Sequence, residues 1–281
     1  MAVGPARSGT GPSIPPDPGD LAAARAERWW WTRRPIRSLD RAAAFLDDVG
    51  FALLFGAERI AMPTLYHAAA DRPVLDLGTE WGAVAERVWG WKDELPLRGL
   101  AWYGRFLRGR ASFLAPDLLA DLYPREGHPE DALDAPLSPD AAKVVRILLR
   151  SGPQTTVVLR EALDAVGSGG GARFEASVRE LGRALVVTTH GTRDEGPGWP
   201  SAVLELTARA FRLPRRRPSE VERRRRAAGR FLDTVLSARP YELGNAFGWR
   251  AGPAREVLES LVDSGEAVRA GPAYVLPSLT G

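Results

Sequence analysis

Apolar residues recur at helical spacing in several separate stretches of the chain. Over 139–150 they fall at Ala142, Val145, Leu148 and Leu149, behind a Ser138-Pro139 start suited to an N-cap and first turn. Ser151-Gly152-Pro153 breaks that helix. A second helix is predicted over about 155–165, with Val158, Leu159 and Leu163, and GSGGG at 167–171 reads as a loop. A third, 172–183, places Phe174, Val178 and Leu181 on one face. ALVVTTH (184–190) and SAVLELT (201–207) flank the polar GTRDEGPGWP and read as a returning pair of strands. The order then repeats. Residues 219–238 carry Val221, Ala228, Phe231, Leu232 and Val235 inward, PYELGNAF (240–247) is a short helix, and 252–263 carries Val257, Leu258, Leu261 and Val262. EAVRA (266–270) and AYVLP (273–277) form a small hairpin. Three helices and a hairpin, twice over, predict an α+β, mainly α fold of tandem winged-helix modules with short antiparallel β-hairpin wings.

The first half is less regular. Residues 1–20 read as a disordered tail of Gly, Pro and Ser. A helix over 21–34 stops before Pro35, and Ser38 caps another over 39–49, with Leu39, Ala42, Ala43, Leu46 and Val49 on one stripe and Gly50 at its end. FALLF (51–55) reads as a buried strand, and Pro63 opens PTLYHAAA. Helices are expected at 79–90 and 97–109, joined by WGWKDELP, with a linker at 124–139. The expected division is a tail at 1–20, an N-terminal helical domain at 21–137, a winged helix at 138–211, a basic linker at 212–218 and a winged helix at 219–281. Residues 38–110 also fit a decorated third copy of the module.

Composition narrows the chemistry. The 281 residues include no Cys and three His (His67, His128, His190), no two of them within sixty residues. Disulfides, thiolate metal centres and cysteine nucleophiles are excluded, and neither metal nor cofactor is expected. No apolar run approaches the roughly 18 residues of a membrane span, and no export leader is visible. A cytoplasmic chain is expected.

Net charge is only +3, yet 36 of the 38 cations are arginine; the lysines are Lys92 and Lys143. GC-rich coding favours Arg together with Ala, Gly and Pro, but Arg also forks to phosphate and guanine better than Lys. Residues 38–137 hold 10 basic and 16 acidic side chains, whereas 138–218 hold 13 and 8. The densest run is RLPRRRPSEVERRRR, 212–226. Such a run can follow a phosphate backbone, or simply be a solvated linker and helix face.

Winged helices often place their third helix in the major groove of duplex DNA. Here that helix offers Arg173, Arg179 and Arg183, which the 100° helical step does not bring into one tight stripe. The wing adds His190 and Arg193, the junction Arg215, Arg216 and Arg217, and the second copy Arg250 and Arg255. Glu175, Glu180, Glu256 and Glu259 on the same helices oppose phosphate. The fold also serves protein contacts. Trp29-Trp30-Trp31 cannot all be buried by one helix face, so they offer a surface for another element or a protein partner. Trp89 and Trp91 share a face if extended and are expected in the core, with base stacking as the other option. No common catalytic motif is present: GSGGG lacks the Lys-Ser/Thr of a phosphate loop, and there is no G-x-S-x-G.

The segments WWWTRRPIRSLDRAAAFLDDVGFALLF (29–55), AMPTLYHAA (61–69), WGWKDELPLRGLAWYGRFLRGRASFLA (89–115) and LSPDAAKVVRILLRSGPQTTVVLREAL (137–163) resemble the AlkZ-related winged-helix family. The resemblance covers most of 29–210. It implies a tandem winged-helix fold and kinship with the AlkZ/YcaQ DNA glycosylases, which excise alkylated or crosslinked bases. Those enzymes hold the catalytic water with a Gln-x-Gln or Gln-x-Asp motif. This chain has one glutamine, Gln154, followed by Thr155-Thr156, so the motif carries over to no position. Asp93 and Glu94 are the remaining candidates for a water-activating base. The reading is a duplex-DNA-binding relative of base-excision enzymes; its rivals are a glycosylase with a substituted catalytic residue and a protein-interaction scaffold.

Overall fold

The computed structural model describes residues 16–70, 81–164, 170–196, 198–214 and 216–279. The chain is mainly helical, with three small antiparallel sheets. After helix α1 (Pro18–Arg28), one order of elements occurs three times. In the first repeat it is α2 (Leu39–Val49), β1 (Phe51–Leu53), α3 (Leu65–Ala69), α4 (Ala83–Leu97), β2 (Trp102–Arg105) and β3 (Ala111–Leu114). Helix α5 (Pro116–Leu122) leads to the second: α6 (Pro139–Ser151), β4 (Gln154–Thr155), α7 (Thr156–Ala162), α8 (Gly170–Arg183), β5 (Val187–Arg193) and β6 (Ser201–Leu206). A one-turn helix α9 (Thr207–Ala210) leads to the third: α10 (Glu220–Val235), β7 (Ser237–Ala238), α11 (Pro240–Phe247), α12 (Ala251–Asp263), β8 (Val268–Ala270) and β9 (Ala273–Val275). In each sheet the last strand is central: β1-β3-β2, β4-β6-β5 and β7-β9-β8.

The helices expected over 139–150, 172–183, 240–247 and 252–263 are present within two residues at each end. The short strands β4 and β7 carry no alternation and exist only through pairing with β6 and β9. Three expectations change. Helix α1 begins inside the stretch read as a tail; residues 1–15 lie outside the described residues, as do 71–80 and 165–169. The expected break at WGWKDELP is absent, because α4 runs through it and Pro96 falls one residue from its end. The helix expected at 97–109 is instead the β2–β3 hairpin, closed through a 3-10 turn at Leu107–Gly109. Arg108 (φ 52°) and Gly109 (φ 71°) leave helical space there, which a pattern of apolar positions cannot reveal. The stretch read as a linker at 124–139 is packed, with a 3-10 helix at Pro129–Asp134 and Tyr123 Oη donating to Asp131 at 2.8 Å.

The repeats share their cores. Phe51 of the first stacks on Phe231 of the third, ring centroids 5.6 Å apart, in a cluster that also takes in Trp102, Leu119 and Phe247. Trp102 Nε1 donates to Thr207 Oγ1 of α9 at 3.0 Å. The second repeat docks on the first by laying α8 across β2. At Gly182 an added Cβ would stand 3.0 Å from the Arg105 backbone nitrogen. A glycine within a helix is otherwise unfavourable, so this close approach explains it. Gly182→Ala is expected to destabilise the chain by about 1–3 kcal/mol, because the atom it meets is backbone that cannot rotate away. A denaturant midpoint equal to that of the parent chain contradicts this packing.

Arginine holds the helix ends together. The last carbonyls of a helix have no partner within it and carry its negative pole. Arg28 donates to Asp48 O at the end of α2 at 2.7 Å, and Arg230 to Asp47 O. Arg209 reaches Leu148 O and Leu149 O in the last turn of α6 (2.9 and 3.4 Å). Arg125 reaches Ala184 O just beyond α8 at 2.8 Å. Arg25, Arg28 and the Trp29 indole take Val235 O, Asp233 O and Thr234 O at the end of α10. Arg217 and Arg223 do the same for α5, described below. Each planar guanidinium supplies several donors from a distant part of the chain.

The tryptophan run is part of this closure. Trp29 and Trp30 are buried, and their indole nitrogens donate to Thr234 O (2.7 Å) and Asp48 Oδ2 (2.5 Å). Trp31 stacks obliquely against His67, centroids 5.0 Å apart. For Trp29 and Trp30 the expected protein-binding surface is thereby corrected to an internal joint, while Trp31 is half-buried beside it. Among the described residues no helix is long and apolar enough to cross a membrane.

Candidate functional site

The three third helices of the repeats present different charge. On α4 the exposed positions include Glu86 and Glu94. On α12 Arg255 is exposed, with Glu256 beside it, and Arg250 stands at the N-cap. There Glu259 is engaged by Arg269 Nε at 2.9 Å and by the Tyr274 hydroxyl at 2.5 Å. Helix α8 is different. Phe174, Ser177, Leu181 and Gly182 are buried, while Ala172, Ala176, Arg179 and Arg183 are exposed. At about 100° per residue those four exposed positions fall within a sector of about 60°. Arg179 and Arg183 are thus neighbours at i, i+4, a relation hidden when Arg173 is taken as the reference. Neither makes an ion pair or hydrogen bond with the described residues. Arg173 lies about a quarter turn to the side and is held by both oxygens of Asp140, at 3.1 and 2.8 Å. Of the acids expected to oppose phosphate, Glu175 pairs with Arg105 (3.3 Å) and Glu180 accepts from Ser138. The free charge of the outward face is positive.

The β5–β6 hairpin adjoins that helix. Arg193 is exposed, and His190 is half-buried with Nδ1 lacking a partner among the described residues. Beyond Arg193 the loop carries Asp194, Glu195 and Trp199, the last 80% exposed. Nothing in the apolar pattern singled out Trp199; its place in a Gly-Pro-rich turn between two strands was the available signal.

The basic junction is largely engaged from within. Arg217 points into the body and donates to Arg125 O, Ala120 O and Tyr123 O, and Arg223 donates to Asp121 O (3.1 Å) and Tyr123 O (2.8 Å). Together they cap the C-terminal end of α5. Burial, and then the like charge of Arg223, holds Arg217 below the ordinary arginine range. Arg224, Arg225 and Arg226 pair with Glu220, Glu266 and Asp121. Arg212 and Arg216 remain exposed, and Arg215 lies outside the described residues. A polar groove of about 1200 Å³ opens here, lined by Arg125, Arg209, Arg212, Arg217, Arg223 and His128 among others. Arg217→Ala is expected to lower stability by about 2 kcal/mol, since three carbonyls lose a charged donor. Urea unfolding measures it; an unchanged midpoint contradicts the capping role.

Helix α4 settles the fate of its aromatic and acidic residues. Trp89 and Trp91 lie about 200° apart on a helix, so they cannot share a face. Trp91 is buried as expected; Trp89 is 37% exposed, which corrects the expectation that both belong to the core. Glu94 points to solvent near Arg98. Asp93 is largely covered and accepts from Lys92 Nζ at 2.7 Å through both oxygens. Burial raises the Asp93 carboxyl above its ordinary value despite that partner. Gln154 sits in β4 opposite Leu204, its side-chain amide donating to Ser151 O at 3.1 Å.

The whole arrangement has a counterpart of known structure. The chain superposes on the Streptomyces sahachiroi DNA glycosylase AlkZ with a TM-score of 0.55, covering 92% of this chain and 69% of that one at 15% sequence identity. At that identity the likeness is one of fold. No curated protein matches the chain in sequence. The AlkZ-related family profile matches residues 36–243, about three-quarters of the sequence, through all of the first two repeats and into the third, so the chain belongs to the AlkZ-related family.

Proposed function

We propose that this is a duplex-DNA-binding protein of DNA repair, built of winged-helix repeats and placed in the cytoplasm. The observation that carries the reading is the outward face of α8, where Arg179 and Arg183 project without acidic partners on the same stripe as Ala172 and Ala176. Small residues let a helix approach the floor of a groove, and unpaired guanidinium groups suit phosphate and guanine alike. The helix–strand–helix–helix–strand–strand order, with the last strand central, is what a winged helix requires, and α8 is its third helix. The β5–β6 hairpin carries a further exposed arginine, Arg193, with His190 half-buried on the same hairpin, and Arg216 is exposed at the junction. Arg250 and Arg255 give the third repeat a weaker surface of the same kind. The kinship with a DNA glycosylase supports DNA as the partner. On this reading Arg217 is a structural cap, and the protein recognises DNA without the Gln-x-Gln or Gln-x-Asp water site. The second reading, an active glycosylase with a substituted base, draws on Asp93, the covered carboxyl beside Lys92.

Mobility shift on plain and alkylated duplexes at two salt concentrations tests both, together with chromatography for released base. Binding that weakens steeply with salt, with no base released, is the expected result. Base release favours the second reading. No shift at low salt leaves protein contacts as the better role for the repeats.

A further inference from the structure

Two amines occur in the side chains of a sequence with 36 arginines. Lys143 is exposed on α6, whereas the Lys92 side chain is only 9% exposed. A permanently charged guanidinium serves every other covered cationic position described above. What an ammonium can do and a guanidinium cannot is hand a proton to a neighbouring carboxylate and act as a nucleophile. Lys92 lines a half-open pocket of about 300 Å³ at the seam where α8 and β5 of the second repeat meet α4 and β2 of the first. That space takes one sugar or base, not a duplex.

The pocket's other walls fit a piece of nucleic acid. Trp89 stands in its lining, 37% exposed, with Lys92 Nζ 4.4 Å from its ring centroid. Tyr103 closes a side, and Arg160 brings an Nε that has no partner among the described residues. The α8 residues facing the pocket (Glu175, Val178, Gly182) lie about a quarter turn from the Arg179–Arg183 stripe. A duplex lying on that stripe would place an extruded nucleotide beside the pocket, with its bases near Trp89 for stacking.

We propose that this pocket accepts the ring-opened deoxyribose of an abasic site in DNA, and that Lys92 forms an imine with its C1′ aldehyde. The inference rests on the DNA reading for its substrate and on the pocket for its chemistry. Asp93, 2.7 Å from Nζ, takes a proton from the ammonium and leaves a neutral amine and a neutral carboxyl. The amine electron pair attacks C1′; the C–N bond forms as the carbonyl π bond opens to an alkoxide, which takes one proton from the new ammonium nitrogen to give a carbinolamine. Asp93 returns its proton to the carbinolamine hydroxyl, which departs as water, and the product is the protonated imine. One ammonium and one aldehyde become one iminium and one water.

The test is reductive trapping. The full chain is mixed with a fluorescent duplex bearing one abasic site, treated with sodium borohydride and run on a denaturing gel; anisotropy without borohydride reports binding separately. The wild type and Lys143→Arg are expected to give a covalent adduct whose modified peptide contains Lys92. Lys92→Arg is expected to bind the duplex with similar affinity and lose the adduct by about a hundredfold or more. Peptide mapping of the wild-type adduct decides the matter even if that variant folds poorly. An abasic duplex that binds without trapping, or an adduct that maps to Lys143, overturns the proposal while leaving the DNA reading intact. If the wild type does not bind the duplex, the DNA reading and the abasic substrate fall together. Benzaldehyde with cyanoborohydride then judges the amine alone: alkylation of Lys92 ahead of Lys143 supports a reactive lysine, and alkylation of Lys143 only rejects it.

Discussion

Arg179→Ala combined with Arg183→Ala is expected to weaken duplex binding by about a hundredfold, as the loss of two charged hydrogen bonds requires. The two positions act differently. A guanidinium on phosphate contributes equally on every sequence, and its removal flattens the dependence of log affinity on log salt by roughly 0.9. One that reaches a base edge discriminates by about 1–3 kcal/mol at a single base pair. Arg179 lies nearer the middle of α8 and Arg183 at its end, so base selectivity is expected from the first and salt dependence from the second. Glu86→Ala and Glu94→Ala on α4 are the matched controls, because an acidic helix face repels phosphate and its neutralisation does not weaken binding. Titrations by fluorescence anisotropy at several salt concentrations separate these effects. Equal affinity and slope in the double variant remove α8 from the interface.

Trp29→Ala is expected to destabilise the chain by about 3–5 kcal/mol. Its indole is 3% exposed, and its nitrogen caps a carbonyl at the end of α10. The substitution opens a cavity and orphans Thr234 O, at the joint where the N-terminal helix closes on the third repeat. A surface tryptophan reserved for a partner would leave the melting temperature unchanged, so calorimetry on this one variant distinguishes the two roles.

The repeat was legible wherever apolar periodicity and punctuation agreed. Ser138-Pro139, Gly152 and the Leu148–Leu149 pair bracket α6 without help from the rest of the fold, and Ser38 with Gly50 does the same for α2. The first repeat was obscured because its hairpin is built from residues equally at home in a helix: Leu107, Arg108 and Arg110 hide a turn that depends on two positive φ angles. Arginine was the harder problem. Arg217 and Arg216 are adjacent and chemically identical, yet one caps α5 and the other faces solvent. The difference lies in carbonyls contributed from about 95 residues away, which no local pattern contains. The arginine stripe on α8 was present in the spacing of residues 172, 176, 179 and 183, and emerged once burial fixed which side of the helix faces out. Lys92 illustrates the converse: its rarity was visible in the composition, its burial beside Asp93 only in the structure.

Hydrogen exchange of the full chain with and without excess duplex, read by mass spectrometry, tests the DNA assignment most directly. With an undamaged duplex, which extrudes no nucleotide, slower exchange is expected in peptides spanning 170–183 and the hairpin between 187 and 206, with 39–49 and 83–97 unaffected. Exchange that is unchanged throughout, or protection centred on the acidic face of 83–97, contradicts it.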